Sequence, residues 1–320
     1  MVHGIMAILK PPGMTSHDVV AKVRRWVGQK RVGHTGTLDP GAAGVLVLCL
    51  GHATRLIPFM EDYVKAYRAE LCFGWSTDTQ DAGGRVLEEK RDFLLPLGAL
   101  HDILYSLKGD NQQVPPMVSA LKYKGKRLYE LARKGKVVKR EPRHIRIYDI
   151  KPVKQSNTNT LKHGERLLFD ITCSKGTYVR TLCHDIGTLI EIPSHMSFLL
   201  RTRVGPWGLE HVSTLEALED NPTHQVFAME QGIAHLPGVS VTQEGALMLS
   251  QGAQISKRHV QEVMPPEIEA FYAIGGAGIP EGLLRVFDGD NRFIGVGRRL
   301  DALGPGWKIQ PFRMLPQEAK

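Results

Sequence analysis

The stretch GHTGTLDPGAAGVLVLCLG, residues 33–51, joins a glycine-rich loop to the longest aliphatic run of the chain. The run from Val45 to Leu50 predicts a short buried strand, because a membrane helix would need roughly 20 apolar residues. The loop before the run holds a single carboxylate, Asp39, which a strand does not require. Asp-Pro with flanking glycines is typical of a turn, yet a loop on a rigid scaffold is also a frequent place for a functional residue. This stretch alone leaves both interpretations of Asp39 open.

On both sides of that loop, the sequence predicts helices and strands. Residues 4–9 read as a buried strand, and Thr15 and Asp18 have the spacing of a capping box at the start of a helix that Gly28 ends. Further strands are predicted at 64–73 and 167–173, followed by a helix at 177–190. Arg180 stands off the apolar stripe of that last helix, near its start. An exposed arginine and a specific anionic partner are both compatible with this position.

The chain changes character after Leu236. The remainder is short, rich in predicted strands and electrically neutral, with a hairpin expected about Asp288 to Asn291. We therefore predict two domains, residues 1–236 and a small β-rich domain at 237–320. The expected fold class is α+β.

Positive charge is concentrated in one segment. The chain of 320 residues has a formal net charge of +8, and residues 122–154 hold 13 Lys or Arg against three acidic residues. Residues 237–320 hold nine of each sign. A basic stripe interleaved with aromatic residues, here Tyr123 and Tyr129, favours RNA over a merely solvated face.

Other features exclude several classes of protein. None of the four cysteines forms a C-x-x-C pair, so neither a zinc ribbon nor a redox motif is expected, and no metal site is predicted. The start of the chain lacks the charged region and cleavage site of a signal peptide. We expect a cytoplasmic protein with buried, reduced thiols and no membrane contact.

Several ordered motifs resemble the bacterial TruB family, the tRNA pseudouridine synthases that act on uridine 55 of the T-loop. GHTGTLDPGAAGVLVLCLGHATR is similar to the family's catalytic signature, and GIMAILKPPGMTSHDVV to its N-terminal motif. KAYRAELCFGWSTDTQDAGG, QVPPMVSALKYKGKRLYELARKG and CSKGTYVRTLCHDIG resemble its second motif, its RNA-gripping insertion and its third motif. The agreement covers nearly all of residues 1–205, in the family's order.

The resemblance implies a pseudouridine synthase fold. Its central sheet is mixed and mainly antiparallel, with flanking helices, a basic RNA-binding insertion at about 114–154 and a C-terminal PUA-like domain. It also implies the catalytic residues Asp39, Tyr67 and Arg180. The implied substrate-binding residues are His34, Tyr178, Leu199, Lys10, Lys122, Lys126 and Arg133.

The implied chemistry explains why one carboxylate stands in the loop. Pseudouridine formation breaks the N1–C1′ glycosidic bond, turns the uracil and rejoins it through C5, without a cofactor. An anionic oxygen can stabilise or bond to C1′, as carboxylates do in glycoside hydrolysis. A single acid in a dry pocket suits isomerisation, whereas two neighbouring acids would activate water. By resemblance, Arg180 keeps Asp39 ionised and Tyr67 stacks on the flipped-out base.

The expected partner is the T-arm of tRNA, bound by a monomer. Two alternatives remain at this stage: a guide-RNA-dependent synthase of the same superfamily, and an RNA-binding chaperone that folds tRNA without essential catalysis. One departure is visible at Leu200, where the family often has an arginine, which puts only a surface or RNA-backbone contact in doubt.

Overall fold

The computed structural model describes residues 1–119, 121–153, 159–267, 281–301 and 306–316. The strands in chain order are β1 (Gly4–Lys10), β2 (Val32–His34), β3 (Ala43–Leu50), β4 (Lys65–Phe73), β5 (Trp75–Thr77), β6 (Val86–Glu89), β7 (Leu95–Pro96), β8 (Gly109–Gln113), β9 (Lys122–Tyr123), β10 (Lys126–Arg127), β11 (Arg143–Pro152), β12 (Thr160–Leu161), β13 (Arg166–Cys173), β14 (Ser194–Val204), β15 (Trp207–Gly208), β16 (Gly238–Val241), β17 (Ile255–Ser256), β18 (Val260–Met264), β19 (Leu283–Phe287), β20 (Phe293–Asp301) and β21 (Trp307–Met314). The α-helices are α1 (Ser16–Trp26), α2 (Ile57–Met60), α3 (Leu97–Ser106), α4 (Leu128–Ala132), α5 (Val179–Leu189), α6 (Leu215–Asp220) and α7 (Gln243–Ser250). Short 3₁₀ turns occupy Gly51–Leu56, Leu209–His211, Met229–Ile233 and Lys257–His259.

The larger sheet is mixed and mainly antiparallel, as the sequence predicts. Its order is β1-β3-β14-β4-β13-β11-β8, with β2 paired to β3 and β15 to β14. Within this order only β14 runs parallel to its neighbour β3, through Leu200 and Arg201 beside Ala43 and Gly44. This parallel pairing joins the strand that follows the Asp39 loop to the strand that lies 150 residues later.

The expected capping box opens α1. The Thr15 hydroxyl accepts a hydrogen bond from the Asp18 backbone N–H at 3.1 Å, and the Asp18 carboxylate accepts one from the Thr15 backbone N–H at 2.8 Å. Val19, Val20 and Val23 are buried against β1 and β3. Gly28 follows the helix with a φ of +65°, a conformation that glycine adopts without strain. Helix α1 is thereby fixed beside the loop that carries Asp39.

The strand β3 is buried on both faces. Val45, Val47 and Cys49 belong to one apolar cluster, whereas Leu46, Leu48 and Leu50 belong to another. This two-sided burial explains why its sequence is continuously apolar rather than alternating. All four cysteines are buried and free, as expected.

A second, six-stranded sheet begins at Gly238, with the order β17-β21-β20-β19-β16-β18. It has an apolar cluster of its own, which includes Val239, Val286 and Ile309. The expected hairpin pairs β19 with β20 around Asp288 to Asn291. Leu283 and Val296 also pack with Phe59 and Met60 of the first part of the chain. The predicted domain boundary at 236/237 is compatible with this sheet but stays a prediction.

Among the described residues, no helix combines the length and the apolar character needed to cross a membrane.

Candidate active site

Six of the residues predicted for the site line one cleft of about 420 Å³. They come from four regions: the end of β2 with the loop that follows it, strand β4, the start of α5 and strand β14. The six are Asp39, Tyr67, Arg180, His34, Tyr178 and Leu199. The sheet thus brings together residues that lie up to 165 positions apart in the sequence.

The loop that carries Asp39 is clamped from two sides. The Leu38 backbone N–H donates to the Ser16 hydroxyl at 2.9 Å, which ties the loop to the start of α1. Lys10 is fully buried, and its Nζ donates to the carbonyl oxygens of Pro40 at 3.3 Å and Ala42 at 2.6 Å. Burial, and secondarily the charge of Arg201, lower the pKa of Lys10 to about 8. Lys10 does not line the cleft, so its geometry supports a structural role and its predicted contact with substrate stays a prediction.

Arg201 forms a third clamp, which the sequence analysis missed. It is 2% exposed, and its guanidinium donates to the carbonyl oxygens of Val45 at 2.8 Å, Gly36 at 3.1 Å and Thr37 at 3.3 Å. Gly44 makes this approach feasible, because a Cβ at that position would lie 2.2 Å from the Arg201 carbonyl oxygen. Three buried side chains therefore fix the loop on both flanks of Asp39.

Arg180 is the cation beside Asp39, as predicted. Its Nη2 lies 3.1 Å from Oδ2 of Asp39 and donates to the Val118 carbonyl oxygen at 2.6 Å. The Arg180 side chain is 5% exposed, whereas that of Asp39 is 39% exposed toward the cleft. Arg180 is therefore a buried arginine with an anionic partner, and not an exposed one.

A second acid, Asp81, lies on the other side of Arg180, with its Oδ2 3.5 Å from Nη1. It is held in its turn by Thr79, whose hydroxyl donates to Oδ1 at 2.7 Å, and by the Gly83 backbone N–H at 3.0 Å. Asp81 is not among the residues that line the cleft. Glu61 also lines the cleft, so Asp39 is not the only acidic residue at its surface, and the ion-pair network behind it contains a further acid, Asp81.

Burial raises the pKa of Asp39 above its ordinary value, and the Arg180 guanidinium opposes that rise while Asp81 adds to it. The charge of Arg180 stabilises the Asp39 anion, as the resemblance implies. This stabilisation is smaller than the destabilisation of the anion by burial, so the pKa remains raised. Asp39 is consequently ionised over a narrower pH range than an ordinary aspartate. A carboxylate with little solvation is also a better stabiliser of nearby positive charge.

Tyr67 lies opposite the loop on β4, in register with Arg201 on β14. Burial raises the pKa of the Tyr67 phenol to about 12, and the Arg201 guanidinium partly offsets that shift. The phenol is therefore protonated at neutral pH. Leu199, 8% exposed, packs on the same cleft wall and joins the main apolar cluster.

His34 and Tyr178 complete the cleft wall. Burial lowers the pKa of His34 to about 4, so its imidazole is neutral, and its Nδ1 has no hydrogen-bond partner among the described residues. Tyr178 precedes α5, and its backbone N–H donates to Gln113 Oε1 at 2.8 Å. Lys65 also lines the cleft, and its Nζ donates to the Glu61 carbonyl oxygen at 2.7 Å. Lys65 and Tyr67 stand two positions apart on β4, so they share one face of the strand, and this spacing is visible in the sequence.

Lys122, Lys126 and Arg133 lie elsewhere, in the basic insertion. Lys122 and Lys126 are exposed on the small hairpin β9–β10, and Arg133 is exposed after α4. The Arg133 and Arg127 guanidinium groups lie 5.5 and 5.8 Å from the Tyr129 ring centroid. These residues line no part of the cleft, so any contact with substrate would be made outside it.

Across the described ranges, no group of three or more His, Cys, Asp or Glu side chains is arranged to hold a metal ion.

The fold resembles solved pseudouridine synthase complexes. A chain in "Structure of H/ACA RNP bound to a substrate RNA containing 2′-deoxyuridine" superposes with a TM-score of 0.71 over 99% of this chain and 86% of that one, at 22% identity. A chain of an archaeal box H/ACA sRNP Nop10-Cbf5 complex gives a TM-score of 0.69 over 99% and 87%, also at 22% identity. At this identity the likeness concerns the fold, and it confirms the predicted pseudouridine synthase fold with a C-terminal β-rich part.

Comparison of sequences finds relatives with considerably higher identity to this chain. The family model "TruB family pseudouridylate synthase (N terminal domain)" matches residues 24–179, and "tRNA pseudouridylate synthase B C-terminal domain" matches residues 180–231. A tRNA pseudouridine synthase B from Pelotomaculum thermopropionicum is 41% identical over 89% of this chain and 90% of its own length. Another, from Caldanaerobacter subterraneus subsp. tengcongensis, is 39% identical over 98% and 99%. The chain therefore belongs to the TruB family and is an isomerase of the tRNA pseudouridine synthase class.

Proposed function

We propose that this enzyme isomerises uridine 55 in the T-loop of tRNA, and that Asp39 is the carboxylate that acts on the flipped-out nucleotide. One observation carries the assignment of Asp39. Its carboxylate faces the cleft beside a buried arginine, 3.1 Å away, in a loop that buried Lys10 and Arg201 hold by its carbonyl groups. Such rigid placement is what a reacting group requires.

The reaction places positive charge where Asp39 can meet it. Cleavage of the N1–C1′ bond leaves positive character at C1′ and an anionic uracil. The Asp39 carboxylate stabilises C1′ or bonds to it, and the uracil turns. Its C5 then bonds to C1′ as the carboxylate is released, and the proton lost from C5 is balanced by one gained at N1. Asp81 lies behind Arg180 and not on the cleft wall, so it is not placed to act on a water bound in the cleft. Of the acids near the cleft, Asp39 is the one that pairs with the buried Arg180 at 3.1 Å and lines the cleft.

Tyr67 supplies a stacking surface for the base. Its phenol remains neutral at pH 7, because burial raises its pKa to about 12. Proton uptake from the sugar by its oxygen would require the adjacent Arg201 guanidinium to stabilise the phenolate. Stacking is therefore the role that its surroundings support best.

Two buried polar atoms support nucleotide binding in this cleft. His34 Nδ1 and Arg180 Nε have no hydrogen-bond partner among the described residues, although both residues line the cleft. Buried polar groups in proteins are nearly always paired. A bound nucleotide would supply the partners that these atoms lack, and a neutral His34 can donate or accept.

We assign recognition of the T-arm to the basic insertion, which exposes Lys122 and Lys126 on the β9–β10 hairpin and Arg133 beside Tyr129. We assign acceptor-arm contacts to residues 237–320 as a PUA-like domain. The insertion's exposed cations can supply the energy for extruding the uridine, a few kcal/mol. We further propose that the enzyme works as a cytoplasmic monomer, without a guide RNA and without a cofactor. Its oligomeric state can be checked by light scattering.

The decisive experiment incubates the full-length enzyme with an unmodified T-arm stem-loop and maps pseudouridine. We expect modification at the position of uridine 55, with no guide RNA added. Asp39→Asn should bind the same RNA and give no product. Binding by the wild type without product would instead favour the chaperone alternative.

A further inference from the structure

A second basic surface surrounds α1 and the turn that follows it. Residues 19–38 hold five cations, Lys22, Arg24, Arg25, Lys30 and Arg31, and no carboxylate. This basic run is smaller than the one at residues 122–154, which holds 13 Lys or Arg. It lies directly before the loop that carries His34 and Asp39.

Three of the five cations have contacts within the protein: Arg24, Lys22 and Arg31, whose Nη1 lies 3.5 Å from Nδ1 of His52. The Arg24 guanidinium donates to the Val32 carbonyl oxygen at 2.7 Å, which ties α1 to β2. Lys22 lies 5.5 Å from the Trp26 ring centroid. Hydrogen bonds from its own backbone and from Thr214 lower the pKa of Glu216 on α6, and the charge of Lys22 adds to that shift. Among the described residues, no carboxylate oxygen lies within 4.0 Å of the cationic groups of Lys30 and Arg31, and both side chains are exposed.

Lys30 and Arg31 form one edge of a shallow pocket of about 540 Å³, which His3, Gln29 and His52 also line. The described lining contains no acidic side chain. Gln29 is 8% exposed and builds the floor: its Oε1 accepts from the Val2 backbone N–H at 2.9 Å, and its Nε2 donates to the Val2 carbonyl oxygen at 3.0 Å. These two hydrogen bonds hold the Gln29 side of the pocket in place, whereas the Lys30 and Arg31 side chains are exposed at its edge.

The two imidazole rings are stacked face to face, with centroids 4.1 Å apart and planes within 1°. The His52 backbone N–H donates to Nδ1 of His3 at 2.8 Å, and Arg31 Nη1 lies 3.5 Å from Nδ1 of His52. These contacts assign the proton of each neutral ring to Nε2. Gly51, with a φ of +57°, makes room for His3, because a Cβ there would lie 2.2 Å from Nδ1 of that ring.

The pocket and the active-site cleft lie at opposite ends of one short strand. Arg31 immediately precedes β2, and His34 ends it and lines the cleft. Three residues of extended chain span about 10 Å. An RNA strand whose nucleotide enters the cleft therefore passes within reach of Lys30 and Arg31.

We propose that Lys30 and Arg31, in the pocket that the stacked His3 and His52 complete, bind a backbone phosphate of the RNA substrate near the extruded nucleotide. The inference rests on the proposed function, since it requires RNA in the cleft. A planar guanidinium beside an ammonium, in a pocket without a carboxylate, matches the charge and the oxygen geometry of a phosphate. The site adds affinity and does not touch the reacting atoms.

The test compares Lys30→Gln/Arg31→Gln with the matched control Lys90→Gln/Arg91→Gln. The control also removes an adjacent, exposed Lys-Arg pair, but one that lies among acidic residues, where Arg91 pairs with Glu89 at 3.0 Å. The equilibrium Kd for an unmodified T-arm stem-loop is measured at several salt concentrations. The kcat for pseudouridine formation is measured at saturating RNA.

We expect the first variant to raise Kd about three- to tenfold at low salt and to lower the slope of log K against log salt by roughly 0.7–0.9, the contribution of one phosphate contact. Its kcat should stay within about twofold of wild type, and the control should change neither quantity. An unchanged salt slope, or equal losses in both variants, would overturn the proposal. Wild-type pseudouridine mapping is run in parallel: if it fails, the proposed function fails, whereas an unchanged slope with normal mapping refutes only the phosphate site.

Discussion

The cleft and the basic insertion both present arginines and aromatic rings, but they differ in burial. In the cleft, Arg180 and Arg201 are almost completely buried and are held by named oxygen atoms, 2.6–3.5 Å away. In the insertion, Arg127 and Arg133 are exposed and lie against Tyr129 without such a network. Buried charge fixes one geometry and one protonation state, whereas exposed charge adds long-range attraction that salt weakens. The first suits bond-breaking, and the second suits RNA capture.

The variant with the largest expected effect is Asp39→Asn, which tests whether the cleft carries the bond-breaking step. The amide keeps the shape of the side chain and loses the charge that C1′ requires, so we expect turnover to fall by more than about 10⁴-fold, with the Kd for RNA within a few-fold. The rate of pseudouridine formation in the RNA under single-turnover conditions measures the effect.

The control for this variant is Asp78→Asn, which removes a carboxylate that pairs with exposed Arg85 outside the cleft. It should retain near-normal turnover. Appreciable product from Asp39→Asn would show that the loop carboxylate is not the reacting group.

Arg180→Met is expected to have the next largest effect. It removes the cation that opposes the burial-driven rise in the Asp39 pKa. If Asp39 acts as an anion, as we propose, activity is lost as pH falls through its pKa, and a higher pKa moves that acidic limb toward higher pH. We expect kcat at pH 7 to drop about 10²- to 10³-fold and to recover in part as pH is raised.

Arg68→Met serves as the control, since it breaks the part-exposed pair with Asp170 on the neighbouring strand. Its pH–rate profile should match the wild type. If Arg180→Met gave an unshifted acidic limb, Arg180 would not set the protonation of Asp39.

Arg201→Met separates positioning from chemistry. The substitution leaves the carbonyl oxygens of Val45, Gly36 and Thr37 without their donor. Unpaired buried acceptors cost about 1–3 kcal/mol each, so we expect a loss of about 2–4 kcal/mol in the free energy of unfolding, with partial relaxation. The loosened Asp39 loop should lower kcat about tenfold.

Chemical denaturation measures the first quantity and single-turnover kinetics the second. Arg203→Met, two residues along the same strand, removes the pair with Glu210 at the surface and should cost much less stability. A stable Arg201→Met enzyme with normal kcat would show that the loop is held by its own turns.

The sequence analysis singled out Asp39, Tyr67 and Arg180, which the structure brings to one cleft, but it missed Arg201. The first three stand in motifs with a recognisable local character: a loop acid, an alternating strand and a cation off a helix stripe. Arg201 looks like an ordinary polar position of a strand. Its burial arises from the parallel pairing of β14 with β3, a long-range contact that no local pattern encodes. The role of Gly44 depends partly on the same contact: its φ of +120° already favours glycine, and the Arg201 carbonyl oxygen would lie 2.2 Å from a Cβ there.

Asp81 was missed for a related reason. It belongs to a stretch rich in Asp and Gly, STDTQDAGG, which has the composition of a polar turn. Within it, nothing distinguishes Asp81 from Asp78, which pairs with exposed Arg85. The difference arises in the tertiary structure, because α5 carries Arg180 to one of these acids and not to the other. Which residues come together at a site is thus set by the sheet order, while their chemical types are visible in the sequence.

The smallest expected effect on catalysis, and the sharpest contrast with the cleft variants, is that of Lys134→Gln/Lys136→Gln/Lys139→Gln in the insertion. These lysines are exposed, and only Lys139 has a carboxylate partner, Glu141 at 3.4 Å, among the described residues. We expect Kd to rise about tenfold or more at low salt and the salt slope to fall by about two, since each phosphate contact contributes roughly 0.7–0.9. At saturating RNA, kcat should remain within about twofold. Neutralising Lys90, Arg91 and Lys162 removes the same charge from another exposed face and should change the slope little. A large loss of kcat in the insertion variant, with an unchanged slope, would mean that these exposed charges act on the bond-breaking step and that burial does not separate the two regions.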